Sequence, residues 1–139
     1  MASLFFPNSI VVAWEGDLDW EVDTIKALLV DTAPTDPDFD FRDDLSTLLY
    51  DGSYTHPTVG SCVVAYDGTD NRAEFTSATI TFSSVAAGTG DAVGLVLYKD
   101  VGTEATDPII CYNEFSSSIN GNGGDITVAC PTNGWFYIS

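Results

Sequence analysis

The chain has 139 residues, 45% of them hydrophobic, with 21 acids against four bases and a formal net charge of −17. That length suits one domain with a real core, and a mean hydropathy of +0.10 excludes a disordered composition. The charge argues against nucleic acid as a partner, because each phosphate contact needs a cation; it favours a basic partner surface or a solvated acidic exterior.

Residues 1–16 read as an N-terminal strand or arm. No Lys or Arg precedes Lys26, so "MASLFFPNSIVVAW" lacks the positive region of a secretory signal. No apolar run approaches the ~20 residues of a membrane span. "SIVVAW" at 9–14 is β-branched and aromatic, and "DTIKALLV" at 23–30 is apolar with Lys26 breaking one face; both read as strands. Trp20, between Asp19 and Glu21, is the tryptophan expected to be partly exposed.

"TDPDFDFRDDL" at 35–45 interrupts the strands. Phe41, Leu45, Leu48 and Leu49 share one helical face, Asp40 suits an N-cap, and Asp43 and Asp44 fall where the helix dipole favours anions. A short helix near residues 41–49 is therefore expected. The alternative for Asp36, Asp38 and Asp40 is a calcium site. An EF-hand loop counted from Asp36 would need Gly at position six and Glu at twelve, and Phe41 and Thr47 stand there. The aspartates then cap and solvate, while Phe39 and Phe41 anchor; no resident metal or other cofactor is expected.

Beyond residue 50 the strand rhythm returns. "VGSCVVAYDG" at 59–68 ends in an Asp-Gly turn, and "RAEFTSATITF" at 72–82 alternates from Ala78 onward. "AVGLVLYKD" at 92–100 is apolar throughout, as in a central strand covered on both faces. "PIICYNEF" at 108–115, "DITVAC" at 125–130 and the closing "GWFYIS" complete the set, separated by Gly- and Asp-rich turns. The expected fold is all-β: a single β-sandwich over 1–139, jelly-roll or immunoglobulin-like, with one short helix.

Catalytic signatures are weak. His56 is the lone histidine and precedes Pro57 in a turn-like stretch, so a surface turn is expected there and no enzyme. Cys62, Cys111 and Cys130 are odd in number and lack CxxC spacing, which suits free thiols and synthesis in a reducing cytoplasm. Trp14, Trp20 and Trp135 with Tyr50, Tyr54 and Tyr66 could form a sugar-stacking platform, but such residues more often fill cores and anchor interfaces. The candidate interface anchors are Trp14, Trp20, Phe39, Phe41, Trp135 and Phe136. The apolar terminal segments "SIVVAW" and "GWFYIS" carry no Lys or Arg to blunt a free strand edge.

"DLDWEVDTIKALLVDT" at 17–32, "DPDFDFRDDLSTL" at 36–48 and "GSYT" at 52–55 together resemble a family of small tailed-phage virion proteins. "EFTSATITF", "VGLVLYKD", "DPIICYNEF" and "SSSINGNGGDITVAC" match it more loosely, so the likeness runs from about residue 17 to 130. Ala92 and Val93 stand where the family often has an arginine, and Asn113–Ser116 replaces an Asp-Phe-Gly run. The resemblance implies a structural virion component made in the host cytoplasm, most simply a capsid decoration (cement) protein on the head surface. Its partner would be the major capsid protein or another virion protein, with the chain held as a homo-oligomer or in a lattice. Alternatives are a tail, neck or fibre-attachment protein, or a carbohydrate- or calcium-binding β-module. Neither nucleic acid nor a membrane is implied.

Overall fold

In the computed structural model residues 3–35 and 39–139 are described, the side chains of 3–5 apart. Among the described residues the structure is mostly antiparallel β with one short α-helix. Strands β1 (Ser3–Phe5), β2 (Ile25–Val30), β6 (Ala92–Lys99) and β7 (Ile109–Ile119) form a four-stranded sheet in the order β1-β7-β6-β2. β3 (Val63–Asp67), β4 (Arg72–Thr76) and β9 (Phe136–Ile138) form a second sheet, and β5 (Ile80–Phe82) pairs with β8 (Ile126–Val128) in a third.

The large sheet is apolar on both faces because alternate side chains enter two different clusters. Ala27, Leu29, Leu95 and Leu97 point toward the small sheets and pack with Phe82, Ile126 and Trp135. Leu28, Val30, Val96 and Tyr98 point the other way and pack with Phe6, Leu45 and Tyr112. A bulge between the Leu97–Cys111 and Tyr98–Ile109 pairs leaves Ile110 unpaired, so Ile110 and Cys111 both reach the first cluster.

Three sequence expectations are corrected. "SIVVAW" is not a strand: residues Pro7–Trp14 form α1. Pro7 supplies a preset helical φ at the first turn, the Ser9 amide and hydroxyl both donate to the Phe6 carbonyl, and Glu15 N–H closes on Val11. Ser3–Phe5 takes the sheet edge instead, paired with β7. The helix expected near 41–49 reduces to one 3-10 turn, Arg42–Leu45. Leu48 O accepts Asp31 N–H, Tyr50 N–H donates to Leu29, and Leu49 bridges Val30, so the sheet recruits this backbone before a second turn forms. The 72–82 stretch is broken at 77–79, where Ala78 N–H turns aside to Gly60, and its halves join different sheets.

Aromatic placement also differs. Trp20 is buried, its indole donating to the Thr76 carbonyl at 3.0 Å and its ring edge-on to Phe75 and Phe136. Trp135 is 1% exposed and donates to Ser77 Oγ at 2.8 Å, and Phe136 is buried against Phe75, ring centroids 4.1 Å apart. Flanking acids therefore misstate the depth of Trp20: Asp19 and Glu21 face water while the indole turns inward.

Candidate functional site

Asp36 and Asp38 lie outside the described residues. Asp40 is half-buried, and its carbonyl accepts Ile109 N–H. Capping is performed by Asp44 and not by Asp40: one Asp44 oxygen accepts the N–H groups of Asp40 and Phe41 at 2.9 and 3.0 Å. Among the described residues no group of three or more His, Cys, Asp or Glu could hold a metal ion.

His56 does not sit in an exposed turn. It is half-buried between the rings of Tyr54 and Tyr98, with Nδ1 2.8 Å from the Tyr98 hydroxyl. Burial lowers its pKa, and the nearby Arg42 and Lys26 charges lower it further. Burial also raises the pKa of Tyr98, so the phenol is a poor source of a nucleophilic oxyanion. Arg42 stacks on the Tyr98 ring and lies 2.9 Å from Asp107 Oδ2, in an alignment too bent for a full hydrogen bond. Asp107 is fully buried and takes Val101 N–H on its other oxygen. This cluster locks the 100–107 loop onto the sheet. The three cysteines are free thiols, and burial raises the pKa of each.

At one end of the molecule Tyr50 joins the loops. Its hydroxyl donates to Ala86 O (2.7 Å) and accepts Gly121 N–H (2.9 Å). Beside it both Asp51 oxygens accept from Thr89, which lowers the Asp51 pKa. Sequence reasoning placed Tyr50 among possible sugar-stacking residues; it is buried, as are Trp20 and Trp135, so the six aromatics share no exposed platform.

What reaches solvent is a different set. Trp14 at the end of α1 is 88% exposed and Val11 51%, with Ile10 beside them on the same helical face. Val12, Phe41, Val101 and Pro108 line a groove of about 380 Å³ next to α1, with Asp17 and Lys99 on its wall. Of the expected interface anchors, Trp14 lies on this surface and half-buried Phe41 lines the groove. Half-buried Phe39 instead packs under the large sheet. Val11 and Val101 were missed, as nothing in their local sequence marks them as uncovered. A second exposed apolar area lies on β3 and β9, at Val64, Tyr66 and Ile138.

Each of the four cationic side chains is spent inside the chain. Lys26 pairs with Asp100 at 2.6 Å, Lys99 with Asp23 at 3.0 Å, Arg42 with Asp107, and Arg72 with Asp70 and Glu74 at 3.0 and 2.8 Å. The charge left to meet a partner is therefore acidic. Comparison of the chain with protein-family models, with curated proteins and with solved structures finds no match.

Proposed function

We propose that the chain is a non-catalytic structural component of a tailed-phage virion, a head decoration (cement) protein that docks on a more basic capsid surface. A tail, neck or fibre position is the neighbouring reading. The observation that carries the proposal is the pairing of an uncovered apolar helix face with a surface whose cations are all internally neutralised. Such a surface suits a partner that supplies both apolar contact and positive charge. The motif resemblance over residues 17–130 supports the virion setting. Under the same proposal the architecture is a β-sandwich, the four-stranded sheet forming one layer and the two small sheets the other. The cluster joining Leu29, Leu95 and Leu97 to Phe82, Ile126 and Trp135 supports that layering.

The test is removal of the protein from purified particles and its return over a salt series. Rebinding that weakens from low to high salt is expected, since exposed charges are screened beyond roughly 10 Å at 0.1 M. Failure to rebind any particle component rejects the virion reading, and rebinding indifferent to salt rejects its electrostatic part.

A further inference from the structure

We infer that the exposed face of α1, with the groove beside it, is a docking site for a cationic amphipathic segment of a partner protein. The inference deepens the structural reading above and rests on it for the need of a partner. An eight-residue helix is too short to be stable on its own, and helices of soluble domains ordinarily turn their apolar stripe inward. In α1 the buried residue is Ser9, while Ile10, Val11 and Trp14 face water. Tryptophan is the side chain most enriched at interface hot spots, because it brings a large apolar area at low entropic cost. The groove continues this surface through Val12 and is open to an inserted apolar side chain, with half-exposed Val101 on its far wall.

Charge selects the occupant. Glu15, Asp17 and Asp19 follow the helix directly and are exposed. Lys99 on the groove wall is held by Asp23 and by the Asp17 carbonyl, so it offers no positive charge outward. A second copy would bring the same acidic rim to a contact between chains of net charge −17 each. An anionic lipid surface or a nucleic acid would meet the same repulsion. A segment with apolar residues along one face and Lys or Arg beside them satisfies both halves of the surface.

The experiment uses the whole chain and two synthetic peptides, one with leucines at the spacing of one helix face and lysines elsewhere, the other with the same lysines and glutamines in place of leucine. Trp20 and Trp135 are buried, so quenching by acrylamide reports mainly on Trp14. The Lys/Leu peptide is expected to shift tryptophan emission to the blue, protect it from the quencher, and bind about tenfold or more tighter than the Lys/Gln peptide. Trp14→Ala and Val11→Ser, both at exposed positions that leave the fold intact, are expected to abolish that tenfold excess. Binding of the variants is followed by isothermal titration calorimetry.

Equal affinity for the two peptides, or an excess that survives Trp14→Ala, overturns the inference. Sedimentation showing a dimer that Trp14→Ala dissolves also overturns it, in favour of a second copy. Particle rebinding separates the two levels. Wild type and Trp14→Ala rebinding equally well removes this surface and leaves the virion reading. Wild type that selects the Lys/Leu peptide but rebinds no particle keeps the surface and removes the virion setting.

Discussion

Strands β6 and β3 have nearly the same chemistry and opposite fates. "AVGLVLYK" and "VVAYD" are both apolar runs ending in a charge. β6 lies between β2 and β7 with a cluster on either face, and Ala92 and residues 94–98 are buried. β3 pairs with β4 alone, at an edge, and residues 63–66 are all exposed. The sheet that carries β3 shows how this arises. Val64 lies opposite Phe75, and Phe75 opposite Phe136, so all three side chains share one face; Tyr66, Ala73 and Ile138 extend that face. Phe75 and Phe136 rest on Trp20, but the sheet then runs past the body, leaving Tyr66 71% exposed. The opposite face is polar, with Arg72 stacked on Tyr137 and paired to its acids. An apolar strand thus earns stability only from what topology lays against it.

The sharpest way to break this contrast is at the junction between covered sheets. Trp135→Ala removes a fully buried ring, its bond to Ser77 and its packing under Leu95 and Leu97. The expected loss is about 3–5 kcal/mol, measured as the midpoint shift in urea unfolding. Leu97→Ala in β6 should cost about 2–5 kcal/mol for the same reason, with no hydrogen bond involved.

Arg42→Met tests the charged lock on the covered sheet. It leaves the buried Asp107 carboxylate without its cation, an expected loss of about 3–5 kcal/mol. Adding Asp107→Asn should recover part of that loss, because the orphaned charge disappears. If the double variant is no more stable than the single, the penalty lies in lost packing of Arg42 on Tyr98 instead.

Legibility in the sequence follows the same division. β6 is readable because burial on both faces demands an apolar run, and β2 and the first half of β7 are readable for the same reason, although Lys26 interrupts one and Asn113 ends the other. α1 was misread because β-branched residues suggest strands, although Pro7 before a run free of Gly is itself a helix-start signal. The leucines of 41–49 share one helical face in the sequence, but one turn of 3-10 helix plus a sheet bridge suffices to bury Leu45 and half-bury Leu48 and Leu49. For the docking surface, Trp14 and Phe41 were legible as large aromatics. Val11 and Val101 were not, since exposure depends on what the rest of the chain leaves uncovered.

His56 offers a pH handle on the covered side. Its neighbours are Tyr54 and Tyr98, the cations Arg42 and Lys26, and the acids Glu104 and Asp100. Its folded pKa lies below the ordinary 6.5, chiefly through burial. The unfolded chain therefore binds the proton more readily, and stability falls as pH drops from 6.5 through the folded value. Thermal unfolding followed across that window should show the decline, and His56→Gln should flatten it. The Asp51 and Asp100 carboxylates, with lowered pKa values, lose their contribution only as pH falls below the ordinary 3.8, so the two windows are separable.

The smallest effect is expected on β3. Val64→Thr and Tyr66→Ser change side chains that the isolated chain leaves 38% and 71% exposed, and Thr keeps the β-branched shape a strand prefers. Surface changes of this kind stay within about ±0.5 kcal/mol. The Val64 amide, which donates to Glu21 Oε1 at 3.0 Å, is untouched by either change. Urea midpoints for both variants should therefore match wild type, while Leu97→Ala in the look-alike strand shifts strongly. A loss above 1 kcal/mol from Tyr66→Ser would mean that the overhanging face is packed in solution. In that case the contrast between β6 and β3 would be one of degree, with the exposed strand held against the body by a fold-back that its register with β4 does not require.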